Sequence, residues 1–287
     1  MERVIYISGK LVPARDARVS VFDHGFLYGD GIFEGIRIYG GQAFRLAKHT
    51  RRLYDSAAAI RLTIPLTPGQ MDQAVLQTMA ANADLQEGYI RLLVTRGVGS
   101  LGLNPLTCRE PQVIIIVDTI ALYPPEAYQQ GLTVITGATI RNHPAAPSPR
   151  IKSMNYLNNI MAKIEGLDAG AAETIMLNHL GYVAEATGDN VFLVRNAEVF
   201  TPDLASGVLG GVTRDEVIDI CRQQRRPLHE TTLTRYDLYA ADECFLTGTA
   251  AEVVPVARID GRPVGSGTVG PVTAEIMAAF HQRIRIA

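Results

Sequence analysis

A chain of 287 residues, 47% apolar and 20% charged, is long enough for two packed domains and too apolar to be disordered. Its net charge of -2, without a long basic run, excludes a nucleic-acid surface; its strongest apolar run, Val113-Ile114-Ile115-Ile116-Val117, reads as a buried strand rather than a membrane span. Three widely spaced cysteines (Cys108, Cys221, Cys244) and six histidines without an i, i+4 pair suggest neither disulfides nor a metal site, and residues 1–6 show no signal-peptide pattern, so a cytoplasmic protein is expected.

In chain order, residues 4–7 and 19–22 are rich in β-forming types, with turn signals at Ser8-Gly9 and Gly40-Gly41. In His24-Gly25-Phe26-Leu27-Tyr28-Gly29-Asp30-Gly31-Ile32-Phe33-Glu34-Gly35-Ile36-Arg37, four glycines interleave with aromatics. Such a stretch lets backbone approach a ligand closely while Tyr28 and Phe33 present flat faces; a glycine-rich turn packed on the core reads the same. Residues 46–60 carry helical spacing with Leu46, Leu53, Ala57 and Ile60 inward. Arg51 and Arg52 point apart on that helix, so at most one of them reaches a buried anion. A second helix is expected over 68–83, opened by Pro68. Residues 89–96 alternate as a strand with Tyr89, Arg91 and Leu93 on one face, where a hydroxyl beside a guanidinium suits a carboxylate, or an edge strand's outer face. A glycine-rich loop over 97–105 and a strand over 112–119 follow, and Pro124-Pro125 mark residues 121–130 as a connector.

The second half opens with a strand over 132–140. In His143-Pro144-Ala145-Ala146-Pro147-Ser148-Pro149, three prolines exclude both helix and central strand. Arg150-Ile151-Lys152-Ser153-Met154-Asn155-Tyr156 comes next, and then a helix with apolar positions at 157, 160, 161 and 164. An amine in partly desolvated surroundings near a second cation sheds its proton more readily, the state in which a lysine condenses with an aldehyde. Lys152 has such neighbours in sequence, although a surface lysine before a helix is the plainer reading of this stretch alone. After a strand over 173–177 and a turn at 178–181, Glu185 stands among small and apolar residues. A semi-buried carboxylate needs a partner, either a structural salt bridge or a protonated ring nitrogen of a cofactor. Leu209-Gly210-Gly211-Val212-Thr213-Arg214 runs into a helix whose first amides suit a phosphate; Thr213 and Glu216 also fit a capping box that would satisfy those amides internally. Thr249 and Ala250 end a strand in a turn with two amides to offer an anionic oxygen. An Asp260-Gly261 hairpin and a helix over 271–285 complete the chain.

As an ordered set, Phe33-Glu34-Gly35-Ile36-Arg37, Tyr89-Ile90-Arg91, Ile151-Lys152-Ser153-Met154-Asn155-Tyr156, Glu185 with Asn190, Gly211-Val212-Thr213-Arg214 and Gly248-Thr249-Ala250-Ala251-Glu252 carry a resemblance. From Gly9 to Phe280 the chain resembles the class IV pyridoxal-phosphate enzymes, and within them the branched-chain amino acid aminotransferases. The resemblance implies an α/β fold of mixed sheets (fold type IV). A small N-terminal α/β domain over 1–120, a linker over 121–130 and a large C-terminal domain over 131–287 would hold pyridoxal 5'-phosphate in the cleft between them, in a homodimer or higher oligomer. Lys152 would form the Schiff base and shuttle the proton at the substrate α-carbon. Tyr156 would bond the phenolic oxygen, Glu185 would pair with the pyridine nitrogen, and Leu209 would pack on the ring. Arg52 rather than Arg51, the amides of Val212 and Thr213, and the Thr249 hydroxyl would take the phosphate. The amides of Thr249 and Ala250 with the Tyr89 hydroxyl would receive the substrate carboxylate. Phe33, joined by Tyr28 of another subunit, would line the apolar pocket, and Arg37 and Arg91 would read the distal carboxylate of an acidic co-substrate. The reaction implied is ping-pong transfer from leucine, isoleucine or valine to 2-oxoglutarate. An apolar wall with a charge at its rim suits both substrates, whereas a buried unpaired charge would penalise the aliphatic one.

Neighbouring activities differ at identifiable places. D-amino acid aminotransferases trap the carboxylate with an arginine and a histidine in the loop after the Tyr-x-Arg strand, and residues 97–107 hold neither. Aminodeoxychorismate lyases continue with a Gly-Arg-Gly-Tyr-like sequence where this chain has Gly99-Ser100-Leu101-Gly102-Leu103-Asn104. The Ser153-Met154-Asn155-Tyr156 form is shared in part with the D-amino acid branch, and (R)-amine transaminases are separated by pocket shape, which sequence does not display. A binding module that had lost its chemistry would lack Lys152 or Glu185; both are present.

Overall fold

Strict alternation builds the first sheet. In the strand Gly31–Tyr39, Ile32, Glu34, Ile36 and Ile38 point into the core, while Phe33, Gly35, Arg37 and Tyr39 lie on the other face. The computed structural model describes residues 2–120 and 123–286, which divide into two units. One contains the chain up to Ile120 together with Ile151–Asn155; the other contains the segment up to Arg150 and then Tyr156–Ile286. The division differs from the expected one in two ways. Five residues around Lys152 belong with the first unit rather than with an unbroken second domain, and the stretch read as a linker contains a helix, Pro125–Gln130, of the second unit.

Among its described residues the first unit holds a six-stranded antiparallel sheet in the order Lys10–Pro13, Val4–Ile7, Gln112–Asp118, Gly88–Thr95, Gly31–Tyr39 and Gln42–Ala43. Helices Leu46–Ala59 and Pro68–Ala80 cover its apolar face through Leu53, Ala57, Met71 and Val75. Thr67 caps the second of these helices and the Gln70 side chain returns to the Thr67 amide, so Pro68 begins a complete capping box. Residues 19–22, expected to be extended, form no strand: Val19, Val21 and Phe22 are exposed and lead through a turn to Asp23.

The second unit is built on a nine-stranded mixed sheet, counted among its described residues. Its order is Leu228–Thr231, Glu198–Pro202, Asn190–Arg195, Glu243–Gly248, Glu252–Ile259, Leu132–Thr136, Glu173–Leu177 and Val183–Ala186, with Arg262–Pro263 added to Glu252–Ile259. The strand expected over 132–140 stops at Thr136. Val183–Ala186 and Asn190–Arg195 are joined by the turn at residues 187–189, which the Ala186 amide closes onto the Asp189 carbonyl. The helix Leu157–Asp168 turns its apolar stripe outward: Leu157, Ile160, Met161, Ile164 and Leu167 are exposed, and Asn159, Ala162 and Gly166 are buried. No helix among the described residues is long and apolar enough to cross a membrane.

Candidate active site

In the first unit the segment carrying Lys152 is sewn onto the strand Gly31–Tyr39. Phe33 N donates to the Lys152 carbonyl (3.0 Å), Met154 N donates to Gly31 O (2.9 Å), and Ile32 pairs with Ser153 as an isolated bridge. The Lys152 amide donates to Ser56 Oγ at 3.2 Å, and Ile151 packs on the core. Backbone bonding on both sides thus fixes where the lysine leaves the chain. Its Nζ lies 4.7 Å from the centroid of the Phe33 ring. Arg91 Cζ stands 4.7 Å from the same centroid and 5.3 Å from that of Tyr89.

Register explains this grouping. Phe33 pairs with Leu93, Gly35 with Arg91 and Arg37 with Tyr89, so the expected substrate residues Phe33, Arg37, Tyr89 and Arg91 share one sheet face. Gly35 is required there, because a Cβ on it would fall 1.7 Å from the Tyr89 hydroxyl. Tyr28 belongs to another cluster of the same unit. Its ring meets His24 edge-on at 5.0 Å, and its hydroxyl accepts from the Gly102 amide at 2.9 Å.

On the core face beneath them lies a charge that sequence reading passed over. Glu34 is fully buried and receives Arg52 as a fork, Nε to Oε1 and Nη2 to Oε2, both 2.7 Å; His49 Nδ1 is 2.7 Å from Oε2. Burial by itself would raise the Glu34 carboxyl's proton affinity. The Arg52 charge and its hydrogen bonds, with His49, outweigh that and bring its pKa down to about 2. Burial pushes His49 downward against the pull of Glu34. Of the two adjacent arginines, then, one reaches a buried anion: Arg52 binds Glu34, while Arg51 is exposed. Nη1 of Arg52 lies outside the fork.

The second unit holds the other buried carboxylate. Glu185 is 5% exposed. Oε1 accepts from Arg141 Nε at 2.8 Å; Oε2 accepts from the Leu209 amide at 2.9 Å and from Asn190 Nδ2 at 3.2 Å. Arg141 is steadied in turn by Asn159 Oδ1 at 3.2 Å, and Asn190 Nδ2 also reaches Leu209 O at 2.9 Å. These bonds use three of the roughly four acceptor positions of a carboxylate, so the group retains capacity for one further donor such as a ring N–H. Leu209 leads through Gly210 to Gly211, which starts the helix Val212–Gln223 with no side-chain cap. The capping box expected from Thr213 and Glu216 is therefore absent: Thr213 lies inside the first turn, and Glu216 is buried and paired with Arg283 at 2.9 Å. Glycine is needed at 211, since a Cβ would lie 2.1 Å from Asn190 Oδ1. The uncapped start, with the amides of Val212 and Thr213 in its first turn, is the chemistry of a phosphate cradle.

Thr249 and Ala250 stand in the turn between Glu243–Gly248 and Glu252–Ile259, and Tyr156 occupies the residue before the helix Leu157–Asp168. Each unit thus assembles part of the expected set, a lysine with an aromatic and arginine face in one and a buried carboxylate beside an uncapped helix start in the other. The supporting residues Glu34, His49, Ser56, Arg141 and Asn159 were not anticipated.

A family model described as amino-transferase class IV matches residues 31–259. The chain belongs to that family. A branched-chain-amino-acid aminotransferase of Pseudomonas aeruginosa is 37% identical over 286 residues, covering 98% of this chain and 92% of the relative. The crystal structure of the Escherichia coli branched-chain amino acid aminotransferase matches with a TM-score of 0.95 at 35% identity, over 98% of this chain and 94% of that one. A branched-chain amino acid aminotransferase of Thermobaculum terrenum, solved in its holo-form with PLP, matches with a TM-score of 0.90 at 30% identity, over 99% and 94% of the two chains. The mixed α/β fold and the class IV aminotransferase activity expected from sequence are those of these proteins.

Proposed function

We propose that this branched-chain aminotransferase uses pyridoxal 5'-phosphate to move the amino group of leucine, isoleucine or valine to 2-oxoglutarate, with Lys152 as the residue that holds the cofactor aldehyde. The observation that carries this reading is the placement of Lys152 Nζ against Phe33, on the face that also presents Tyr89 and Arg91. When bound, the cofactor supplies an electron-withdrawing ring that takes up the substrate's amino group. Glu185 would hold a proton on the pyridine nitrogen, and its support by Arg141, Asn190 and the Leu209 amide keeps its charge in place. Tyr156 would bond the phenolic oxygen, and Leu209 would pack on the ring. Arg52, the amides of Val212 and Thr213 and the Thr249 hydroxyl would take the phosphate. Lys152 would move the proton at the substrate α-carbon.

For the substrate, the Tyr89 hydroxyl and the amides of Thr249 and Ala250 would receive the α-carboxylate. Phe33, with Tyr28 of another subunit, would wall the aliphatic side chain. Arg37 and Arg91, at the edge of that apolar surface, would read the second carboxylate of 2-oxoglutarate. The outward apolar stripe of Leu157–Asp168, with exposed Leu101, Leu103 and Leu106, supports a homodimer or larger assembly. Free thiols at Cys108, Cys221 and Cys244 accord with a cytoplasmic protein.

Lys152→Ala decides the matter. In protein reconstituted with pyridoxal phosphate it is expected to abolish the cofactor's visible band and to cut turnover with L-leucine by at least about 10⁴-fold. An unchanged band in the variant would rule Lys152 out.

A further inference from the structure

A third group of buried acids lies in the second unit, and neither the anion site nor Glu185 accounts for it. The Tyr123 hydroxyl is 3.2 Å from Glu173 Oε2 and 3.2 Å from Asp189 Oδ2, so one phenol stands between two buried carboxyl groups. The two are served unequally. Glu173 Oε2 also receives Lys163 Nζ at 3.0 Å, and its Oε1 accepts from the Thr174 amide at 2.7 Å and from the amide and hydroxyl of Thr187. Asp189 has the Tyr123 hydroxyl as its side-chain partner, and its other oxygen presses on Gly248: a Cβ built there would lie 1.8 Å from Oδ1.

That contact has a functional direction. Gly248 is the last residue of its strand before Thr249 and Ala250. Asp189 also directly precedes Asn190, whose amide group holds Glu185 Oε2. A neutral carboxyl packed under Gly248 leaves the amides of the turn free to bind an anion. An ionised one puts a negative charge behind them, in low dielectric, and opposes the same anion.

We propose that Asp189 is a positioning residue for substrate binding: as the neutral acid, between Tyr123 and Gly248, it supports the Thr249–Ala250 turn, and its ionisation weakens capture of the substrate carboxylate. The proposal rests on the assignment of that turn to the substrate carboxylate. Burial first, and then the charge of Glu173, push the Asp189 carboxyl up to about 7; Glu185 adds to this, whereas the Tyr123 hydrogen bond and Lys163 oppose it. Glu173, Lys163, Glu185 and Tyr123 are the titratable groups acting on it from the neighbouring strands, helix and loop. The sign follows. Below its pKa the acid is neutral and the turn competent; as pH rises through about 7, the charge appears and affinity falls.

The test compares wild type with Asp189→Asn, an isosteric neutral mimic, as cofactor-loaded full-length protein. In wild type the KM for L-leucine is expected to climb by up to about tenfold per pH unit above the ionisation, with kcat little changed. In Asp189→Asn the KM stays flat across that range. Infrared spectra provide a readout independent of turnover: a protonated-carboxyl stretch present near pH 6 in wild type, lost near pH 8, and missing in the variant. If Asp189→Asn does not fold, Tyr123→Phe serves instead; loss of the phenol donor is expected to move the rise in KM to higher pH, and an unmoved rise overturns the proposal. A wild type that transaminates while Asp189→Asn keeps the wild-type KM profile overturns the positioning role alone. A wild type that binds cofactor yet transaminates no amino acid overturns the assignment beneath it, and the role with it.

Discussion

The two units bury the same kind of ion pair and use it in opposite senses. In the first, the carboxylate of Glu34 is sealed inside and both of its oxygens are taken by the Arg52 fork, so the arginine is the member with an outward edge. In the second, Arg141 binds one oxygen of Glu185 through Nε, and the other oxygen is left to the Leu209 amide and Asn190. A fork ties both oxygens to one guanidinium, so the sealed carboxylate acts as an anchor for a cation. Glu185 also accepts three bonds, but they come from three separate groups, Arg141, the Leu209 amide and Asn190, and only one of them carries a charge. The proposed roles, phosphate arginine and pyridine carboxylate, accord with a sealed Glu34 behind a partly exposed Arg52 in one pair and a Glu185 held by a single cation in the other.

The sharpest way to break this comparison is to remove the sealed partner. Glu34→Gln leaves Arg52 without its counter-charge in a buried site, a change that costs on the order of 3–5 kcal/mol. Chemical denaturation at neutral pH should register that loss; a variant as stable as wild type would mean the fork is idle. The pH dependence has a definite sign. Because the folded-state pKa of Glu34 is depressed from 4.5 to about 2, its contribution is complete above about 4.5 and is lost as pH falls from there through about 2. Glu34→Gln should lack that part of the acid limb.

Glu185→Gln attacks the other pair from the ligand side, and its effect should fall on rate as well as on stability, since Arg141 also loses its counter-charge. Glutamine has one acceptor oxygen, so it keeps either the Arg141 contact or those to the Leu209 amide and Asn190, and it holds no negative charge for a ring proton. Turnover is expected to drop by about 10²–10³-fold, the size of a lost preorganised electrostatic contact, with cofactor occupancy close to wild type. Unchanged turnover would remove the electronic role and leave Glu185 as a structural salt bridge. Equal loss of occupancy and rate would make Glu185 a structural anchor of the same kind as Glu34.

How much of this was legible in sequence depends on the range of the signal. Local periodicity located the strand of Tyr89 and Arg91 and the helix Leu46–Ala59, and register then brought Phe33, Arg37, Tyr89 and Arg91 to one face as alternation requires. The supporting partners were invisible for the opposite reason. Arg141 and Glu185 are 44 residues apart, and Ser56 and Lys152 are 96 apart, so no pattern within one element joins them. Glu34 did leave a trace, a carboxylate in the apolar register of Ile32, Ile36 and Ile38, where an unpaired charge would not be tolerated. The capping box at Thr213 misleads because the helix begins two residues earlier than that motif needs, with Gly211 drawn against Asn190. Residues 19–22 have β-forming side chains but no neighbouring strand to pair with, and composition cannot supply one.

The smallest effect belongs to Arg91, and it separates a charge that reads substrate from one that merely packs. Unlike Arg52 and Arg141, Arg91 has its guanidinium over two aromatic rings, 4.7 Å from Phe33 and 5.3 Å from Tyr89, on the partly exposed face of the sheet. A cation held by ring faces keeps its full charge for an anion, whereas one held by a carboxylate shares that charge with its partner. Arg91→Leu retains an apolar wall and removes the charge. The expected result is a loss of about tenfold in kcat/KM for 2-oxoglutarate, roughly 1.4 kcal/mol, with less than about a twofold change for 4-methyl-2-oxopentanoate. Equal losses for the two oxo acids would mean that Arg91 serves to hold Phe33 in place, and selectivity for the acidic co-substrate would then fall to Arg37 on the same face.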